Sequence, residues 1–424
     1  MSWNTELDSV WQTEACVRVR VKTSGGVSQT IEAHYLVGCD GAKSLVRHAL
    51  GLEFGGSTFA RMFYVADAQV DWHLSHDALH MCLSKDSFVV FFPLQGAKRY
   101  RIVGVFPQAF AKDEGEILYE EIEQRVKEEA KLDLDIHDVE WFSTYKVHTR
   151  HVRTFSAGRC FLAGDAAHVH SPAGAQGMNT GIQDTYNLAW KMALVLRGKA
   201  DERLLDTYNE ERLENAKHLL HTTDRMFQLA AGSAWWLAFL RTHILPSVAN
   251  SLLNLGAVKR FVFPLISQIG INYRHSPLSR HAGDEDFPVK AGDRMPYFLV
   301  GGQSIYDQLH QARFHYLIFS DTQDQFHALR MELESHYDTL VDVIAIPFLR
   351  TEWTSSGPAK RFMCCSGRTI TSAVLRQRVR RRVYMITYMR LSDKDKMHGL
   401  FSERARRTRH WSRPSAEKYV TNCL

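Results

Sequence analysis

The chain of 424 residues is long enough for about two or three domains with sizeable cores. Its 45% hydrophobic and 23% charged residues and its formal net charge of +5 are typical of a soluble globular protein. Seven cysteines without a Cys-x-x-Cys pair argue against a disulfide framework, and the first residues exclude an ordinary secretory signal, so we predict a cytoplasmic protein.

The N-terminal part of the chain predicts a β-hairpin, a tight turn and a short helix. Residues 17–21 alternate Val and Arg, residues 24–26 form a Ser-Gly-Gly turn, and a second strand covers residues 30–37. This strand leads into the Gly-Cys-Asp-Gly turn of residues 38–41, and residues 44–50 are predicted to form a helix. The turn places an aspartate directly after a strand.

Between residues 54 and 146 the pattern changes to short strands rich in Val, Phe and Tyr, which predicts an antiparallel sheet. Residues 115–132 then predict an acidic amphipathic helix. Some aromatic residues of the strands are candidates to line a ligand cavity, although core packing is their commoner role. The predicted strands are 61–70, 78–83, 87–94 and 99–106, and the candidate cavity residues are Phe91, Phe92, Pro93 and Tyr100.

Residues 159–198 predict a strand, a glycine-rich turn and a buried helix. The strand of residues 160–163 ends at Gly164-Asp165, and the helix begins near Asn179 and ends at Gly198. A helix N-terminus behind a glycine turn suits a ligand oxygen that carries negative charge, and an aspartate at a strand end suits a hydroxyl donor such as a sugar. The apolar residues at helical spacing are Ile182, Tyr186, Ala189, Ala193 and Leu196.

The chain continues with residues 201–227, which predict a long charged helix without an assigned chemical role. Residues 235–271 are apolar but interrupted, and no uncharged stretch reaches the length of about 18 residues that a membrane span needs. We predict that helices of this segment cover a substrate cavity, while a peripheral contact with a membrane surface stays open.

Residues 351–424 form a basic tail with 17 Lys and Arg against 5 Asp and Glu, whereas residues 1–350 contain 35 against 42. Such a tail could engage nucleic acid or anionic lipid. Because no stacking aromatics or recognition fold accompany the charge, we predict no nucleic-acid partner. The density of like charge predicts a disordered and dispensable tail.

Two long motifs stand out at residues 35–47 and 159–191. The first reads Tyr-Leu-Val-Gly-Cys-Asp-Gly-Ala-Lys-Ser-Leu-Val-Arg. The second contains Arg-Cys-Phe-Leu-Ala-Gly-Asp-Ala-Ala-His, then Gly-Met-Asn-Thr-Gly-Ile-Gln-Asp, then Asn-Leu-Ala-Trp-Lys. Together they resemble the flavin-binding motifs of the FAD-dependent aromatic-ring hydroxylases, the single-component flavoprotein monooxygenases of the para-hydroxybenzoate and phenol hydroxylase type.

The resemblance implies a mixed α/β (α+β) fold, with FAD and either NADPH or NADH as cofactors. It implies that Asp165 holds the ribityl chain of the flavin, and that Asp40 and Arg47 also face the docking groove of the pyridine nucleotide. Replacing Arg47 is therefore expected to affect NADPH-driven reduction more than FAD retention. The implied cofactor-binding residues are Asp40, Gly41, Arg47, Gly164, Asp165, Pro172, Gly174, Gly177, Met178 and Asn179.

The sequence departs from the family in two places. It contains no Gly-x-Gly-x-x-Gly stretch, the loop that normally holds the pyrophosphate of FAD, so we predict an incomplete FAD-binding domain. Residues 291–319 resemble the start of a thioredoxin-like domain, but its closing strand and helix are not found after residue 350. The predicted units are 1–60 with 147–230 (FAD binding), 61–146 (substrate-binding sheet), 231–280 (helical lid), 281–350 (thioredoxin-like remnant) and 351–424 (tail).

In that family NADPH reduces the flavin, O2 adds at its C4a carbon, and the resulting hydroperoxide transfers oxygen to a phenol. The resemblance thus implies an aromatic small-molecule substrate and O2, and it allows a homodimer. No metal site is predicted, and the catalytic residues stay unassigned, with Tyr145, His148 and Tyr100 as candidates for a base that ionises the phenol. Two alternatives stay open: an inactive remnant that acts as a binding protein, and a flavin enzyme that oxidises without hydroxylation.

Overall fold

The computed structural model describes residues 1–85, 87–106, 119–171, 176–232, 234–244, 263–264, 267–279, 290–300, 302–309, 314–319, 327, 330–331, 335, 341–346, 372–373 and 384–389. The strands in these residues are β1 (Thr5–Gln12), β2 (Val17–Thr23), β3 (Ser28–Ala33), β4 (Leu36–Gly38), β5 (Phe54–Trp72), β6 (His80–Leu83), β7 (Phe88–Pro93), β8 (Arg99–Val105), β9 (Leu134–Val152), β10 (Ser156–Ala157), β11 (Cys160–Leu162), β12 (His168–Val169), β13 (Leu299–Val300), β14 (Gln303–Ser304), β15 (Phe314–Phe319), β16 (Val341–Ile346), β17 (Ser372–Ala373) and β18 (Tyr384–Met389). The helices are α1 (Leu45–Ala49), α2 (Tyr119–Ala130), α3 (Gly177–Leu196), α4 (Asp206–Ala231), α5 (Trp235–Phe239) and α6 (Ile305–Gln308), with 3-10 turns at Gly164–Ala166 and Glu202–Leu205 and a π-helical turn at Leu240–Ile244.

The largest sheet has the strand order β12-β9-β5-β8-β7-β6, and all its neighbouring strands are antiparallel. The strands predicted between residues 61 and 106 correspond to β5, β6, β7 and β8, which confirms the antiparallel sheet. Strand β9, with 19 residues, is not predicted by the sequence. Its polar and charged residues conceal the period-two pattern on which strand prediction depends.

The two faces of this sheet pack against different helices, because successive side chains of a strand point to opposite faces. On one face, Phe91 and Tyr100 join Val126 of α2 in a buried cluster. On the other face, Phe63 packs with Phe227 near the end of α4. Phe91 and Tyr100, which the sequence marked as candidate cavity residues, are therefore core residues on the α2 side.

A smaller sheet with the order β10-β11-β4 brings the two sequence motifs together. Strands β4 and β11 are parallel neighbours, with Gly38 opposite Leu162. A Cβ atom on Gly38 would lie 2.8 Å from the Cβ of Val46, so α1 can pack on the strand only because this residue has no side chain. The helix predicted at residues 44–50 is confirmed as α1, with Ser44 as its N-cap.

The N-terminal hairpin is confirmed as β2 and β3, and β1 adds a strand that was not predicted. Helix α4 begins at Asp206 rather than at residue 201, because a 3-10 turn precedes it. Within the part of the chain that the structure describes, no helix is both long and apolar enough to cross a membrane. The fold is a mixed α/β arrangement with antiparallel sheets, as predicted, while the boundaries of the predicted domains stay predictions.

The C-terminal sheet corrects one prediction about the basic tail. Its order is β16-β15-β18-β17, with β15 and β16 parallel and β15 and β18 antiparallel. Strands β17 and β18 lie in residues 351–424, where no strand was predicted. Residues 384–389 read Tyr-Met-Ile-Thr-Tyr-Met and contain no charged side chain, and each of them is paired with a residue of β15. The remainder of the tail lies outside the described residues, and the thioredoxin-like character of the region stays a prediction.

The tail was predicted to be dispensable. Because β18 pairs with β15, we instead expect that removing β18 destabilises the C-terminal sheet. A chain truncated after Arg350 leaves one edge of β15 without a partner, which exposes its backbone donors and acceptors. A chain truncated after Arg390 keeps β18 and is the matched control. We expect a lower thermal midpoint for the shorter chain by calorimetry, and equal midpoints for the two truncations would contradict the pairing.

Candidate functional site

The first motif forms a capped turn between β4 and α1. The carboxylate of Asp40 accepts a hydrogen bond from the backbone N–H of Val46 at 3.1 Å, and the Ser44 hydroxyl accepts one from the N–H of Arg47 at 2.9 Å. Gly41 has a φ angle of +79°, in the left-handed region that favours glycine. Asp40 is exposed. The turn thus presents a carboxylate to solvent at the end of a half-buried strand.

The second motif forms a 3-10 turn directly after β11. Gly164 has a φ angle of +59°, and the side chain of the following Asp165 is exposed. Helix α3 passes close behind this turn, since a Cβ on Gly181 would lie 3.2 Å from the Cα of Gly164. Both Asp40 and Asp165 therefore follow parallel neighbouring strands, and parallel strands end at the same edge of a sheet, where open α/β folds bind ligands.

Arg47 is buried beneath the two turns and hydrogen-bonds the main chain of both. Its guanidinium donates to the carbonyl oxygen of Ala42 at 2.7 Å and to that of Ala166 at 2.9 Å, and it lies over the ring of Phe54 at 3.9 Å. Only 2% of the residue is exposed. Both of these donors are directed at main-chain carbonyls inside the protein, while a contact of Arg47 with the pyridine nucleotide stays a prediction.

Replacing Arg47 with methionine is expected to destabilise the site by about 2 kcal/mol, because charge-assisted hydrogen bonds to two turns are lost. We expect a lower thermal midpoint and faster loss of FAD during gel filtration. Arg153→Met is the matched control, since that side chain is 87% exposed. A variant of Arg47 that retains FAD and melts like the control would show that the guanidinium does not hold the turns.

Asp184 of α3 is the centre of a buried hydrogen-bond network that fixes the second turn. Its Oδ2 accepts from the backbone N–H of Gly164 at 3.0 Å and from Nε2 of His168 at 2.8 Å. Its Oδ1 accepts from Nε of Arg212 at 2.7 Å. Burial alone would raise the pKa of the Asp184 carboxyl, but the charge of Arg212 and the hydrogen bond from His168 hold this pKa below its ordinary value.

Arg212 extends this network to other elements. Its guanidinium also donates to the hydroxyl of Tyr273 at 2.8 Å and to the carbonyl oxygen of Thr180 at 3.2 Å. Arg212 and Asp184 are both fully buried. Tyr208, Glu211 and Arg212 form a Tyr-x-x-Glu-Arg run for which the family resemblance implies packing and no chemistry. Its burial agrees with packing, whereas the partners of Arg212 lie on other elements that the local pattern of α4 does not indicate.

A second buried pair lies further along α3 and α4. Nζ of Lys191 donates to Oε2 of Glu211 at 2.7 Å, and the Asn187 amide donates to the same oxygen at 2.6 Å. The hydroxyl of Ser276 donates to the other carboxylate oxygen at 2.6 Å. Burial lowers the pKa of Lys191, and the charge of Glu211 opposes this shift. Both networks connect α3 to α4 through polar groups.

The apolar stripe of α3 is exposed, which corrects the prediction of a buried helix. Ile182, Tyr186 and Leu196 are 58%, 46% and 52% exposed, whereas Asp184 and Lys191 are fully buried. The inward face combines Leu188 and Leu194 with the polar side chains of Asp184, Asn187 and Lys191. Glu211 and Arg212 of α4 supply hydrogen-bond partners for these polar groups. Helix α3 begins at Gly177, and Met178 and Asn179 are exposed in its first turn. The predicted site residues Pro172 and Gly174 lie outside the described residues.

A family model described as FAD binding domain matches residues 1–223. The chain belongs to this FAD-binding-domain family. The match includes both turns, the whole of α3 and the first part of α4 up to Thr223, so the two buried networks lie largely within it.

Three known proteins illustrate the similarity of this FAD-binding-domain protein to others. A flavin-dependent monooxygenase of Mycobacteroides abscessus is 34% identical over 332 residues, which are 75% of this chain and 62% of that protein. Pentachlorophenol 4-monooxygenase of Sphingobium chlorophenolicum is 34% identical over 235 residues, covering 54% and 43%. The solved structure of OxyS anhydrotetracycline hydroxylase from Streptomyces rimosus is 29% identical with a TM-score of 0.62, covering 81% and 65%. The chain thus spans less than two thirds of the length of each of these proteins.

The three candidate bases occupy different places in this FAD-binding-domain protein. Tyr145 stacks on Phe63, with ring centroids 5.6 Å apart, on the sheet face that α4 covers, and burial raises the pKa of its hydroxyl. His148 hydrogen-bonds the hydroxyl of Thr58 at 2.8 Å. Tyr100 lies on the opposite, α2 face, with its hydroxyl 3.1 Å from Nδ1 of His76. The structure therefore does not bring the three together.

Proposed function

We propose that this protein is a FAD- and NAD(P)H-dependent monooxygenase that hydroxylates a phenolic or other aromatic small molecule. The observation that carries the proposal is the convergence of the two turns at one sheet edge, beside the N-terminus of α3. Two of the similar proteins, pentachlorophenol 4-monooxygenase and OxyS anhydrotetracycline hydroxylase, support this reaction class.

The residues of this edge fit a flavin. The carboxylate of Asp165 is exposed and can accept hydrogen bonds from the ribityl hydroxyls, and Asp40 with Gly41 faces the same edge. The unpaired N–H groups at the start of α3 suit the pyrimidine edge of the isoalloxazine ring, which becomes negative on reduction.

Bound FAD would supply the hydride acceptor and the activation of O2 at its C4a carbon. The protein would supply position and an apolar environment. The sheet face opposite α2 contains a cluster in which Phe63, Tyr145 and Phe227 pack together, with ring centroids of Phe63 and Phe227 5.4 Å apart. These rings are buried between the sheet and α4, so the cluster provides an apolar environment on this side of the sheet.

The direct test is to purify the chain, add FAD, remove free FAD by gel filtration and measure NADPH and NADH oxidation with a panel of phenols. We expect a yellow protein that consumes O2 and transfers label from 18O2 into a hydroxylated product. Absence of bound FAD would favour a binding protein without activity. Oxidised product without the label would favour a flavin enzyme that does not hydroxylate.

Replacing Asp165 with alanine is expected to weaken FAD binding by about 1.5–3 kcal/mol, because an ionised acceptor for hydroxyl groups is lost. Titration of the FAD-free protein by flavin fluorescence measures the difference. Asp206→Ala, at the exposed start of α4, is the control for a lost surface carboxylate. Equal affinities of the Asp165 variant and the unmodified protein would remove Asp165 from the site.

A further inference from the structure

The exposed surface of α3 carries apolar residues and no charge. The structure describes all 20 residues of this helix, and its two charged residues, Asp184 and Lys191, are fully buried. A helix at the surface of a globular protein normally presents charged and polar side chains to water, so an uncharged apolar surface marks a contact with another molecule. The exposed residues of α3 are Met178, Asn179, Ile182, Thr185, Tyr186, Ala189 and Leu196.

The apolar residues of this surface have the spacing of a coiled-coil contact. They follow one another at intervals of four, three, four and three residues, which is the alternation of d and a positions in a heptad repeat. All are exposed except the fourth, which is half-buried. The opposite side of the helix carries the two buried hydrogen-bond networks. We call these five residues the α3 seam: Ile182, Tyr186, Ala189, Ala193 and Leu196.

The α3 seam is complementary to itself when a second α3 lies antiparallel to the first. With a two-fold axis between positions 187 and 188, Tyr186 faces Ala189 of the second copy, and Ile182 faces Ala193 of the second copy. Each large side chain then lies against an alanine, and symmetry makes each contact twice. In a parallel pair Tyr186 would meet Tyr186 and alanine would meet alanine, which leaves crowded positions next to gaps.

We propose that the α3 seam is the contact between two copies of this chain, paired antiparallel about this two-fold axis. The driving force is the burial of apolar side chains, and no charged group has to lose its water. The contact is a single pair of helices, at the lower end of the about 1,200–2,000 Å² that stable interfaces bury, so the dimer dissociates on dilution. The same register places Leu196 of the second copy next to Asn179, so the contact reaches the first turn of α3.

The test is sedimentation velocity of the full chain without FAD over a series of protein concentrations. We expect the mass to rise from that of one chain to that of two. The variants Ile182→Glu and Ala193→Lys each place a charge in the seam opposite an apolar side chain, and both are expected to stay monomeric where the unmodified chain is dimeric. Gln228→Glu and Gln228→Lys add the same charges at an exposed position of α4 and are expected to dimerise normally.

An equimolar mixture of Ile182→Glu and Ala193→Lys tests the register. In a mixed dimer the introduced glutamate faces the introduced lysine, and the other side of the axis keeps the original pair of isoleucine and alanine. We therefore expect the mixture to recover the dimer that each variant alone has lost. Circular dichroism melts of both variants, expected to match those of the Gln228 variants, separate lost assembly from lost folding.

Three results would each overturn the proposal. An unmodified chain that stays monomeric at every concentration would assign the seam to a different partner. A dimer that both seam variants retain would place the contact elsewhere on the chain. A mixture of two folded variants that stays monomeric would exclude the antiparallel register. Because every measurement is made without FAD, none of these results bears on the proposed function.

Discussion

Replacing Arg212 with methionine is expected to lower the free energy of unfolding by about 3–5 kcal/mol, the usual cost of removing one partner from a buried ion pair. Asp184 would then stay buried with a charge and without its strongest partner. The loss extends to the hydroxyl of Tyr273 and the carbonyl of Thr180, which also accept from the guanidinium. Chemical denaturation followed by circular dichroism measures the effect.

The exposed pair of Arg203 and Asp201 provides the control for Arg212. Arg203→Met removes a guanidinium whose side chain is 76% exposed and is expected to leave stability nearly unchanged, because water replaces the lost partner. A similar loss of stability in both variants would show that the buried network contributes no more to stability than the exposed ion pair. A conservative Arg212→Lys variant is expected to recover little, since lysine cannot bond the three acceptors in fixed directions.

The pH dependence of stability gives an independent check on Asp184. Because the pKa of this carboxyl is lower in the folded protein than in the unfolded chain, its contribution is fully present above the unfolded pKa. The contribution is lost as the pH falls through the folded-state pKa. We therefore expect the unmodified chain to lose stability over this acidic range more steeply than Arg212→Met, in which the depressed pKa is gone.

Replacing Lys191 with methionine is expected to lower the free energy of unfolding by about 3 kcal/mol, because Glu211 is left buried with a charge. The amide of Asn187 and the hydroxyl of Ser276 still bond the carboxylate, which sets this cost below that of Arg212→Met. The double variant Lys191→Met/Glu211→Gln removes both charges and is expected to be more stable than the single variant. Urea denaturation of the three proteins measures this coupling.

The buried Lys191 is also expected to make the free energy of unfolding depend on pH, in the alkaline range and not in the acidic range of Asp184. Burial lowers its pKa in the folded protein, so the unfolded chain binds more protons between the folded-state pKa and the ordinary lysine value. Stability therefore rises with pH in that alkaline window, as far as this group is concerned. The rise is expected to be absent in Lys191→Met, and an unchanged profile would mean that Lys191 is not buried with its charge.

Patterns within a few neighbouring residues were enough to predict several strands, helices and turns of this protein. The Val and Arg alternation predicted β2, the segment after the Gly-Cys-Asp-Gly turn predicted α1, and the glycine turn before Asp165 predicted the break after β11. In each case the physical cause lies within a few neighbouring residues, such as a cap, a backbone angle or a two-residue period. The motifs at these turns also identified the FAD-binding-domain family.

The inward face of α3 could not be predicted in this way. Its apolar residues form a stripe, and a stripe normally marks the buried side of a helix. In the structure the stripe is exposed, and the polar side with Asp184 and Lys191 is buried. Likewise β18 lies in a segment whose charge predicted disorder, and its partner β15 is about 70 residues earlier in the chain.

The sequence by itself therefore determined the two motifs, the turns that they form and the mixed α/β class. Only the tertiary structure decided that Arg47 is buried and hydrogen-bonds the main chain of both turns, and that Arg212 and Lys191 pair with carboxylates inside the protein. It also left the apolar stripe of α3 exposed. A charged or polar side chain is stable in the interior only when it has hydrogen-bond or ion-pair partners. Here those partners come from elements distant in the sequence, and a local sequence pattern does not predict them.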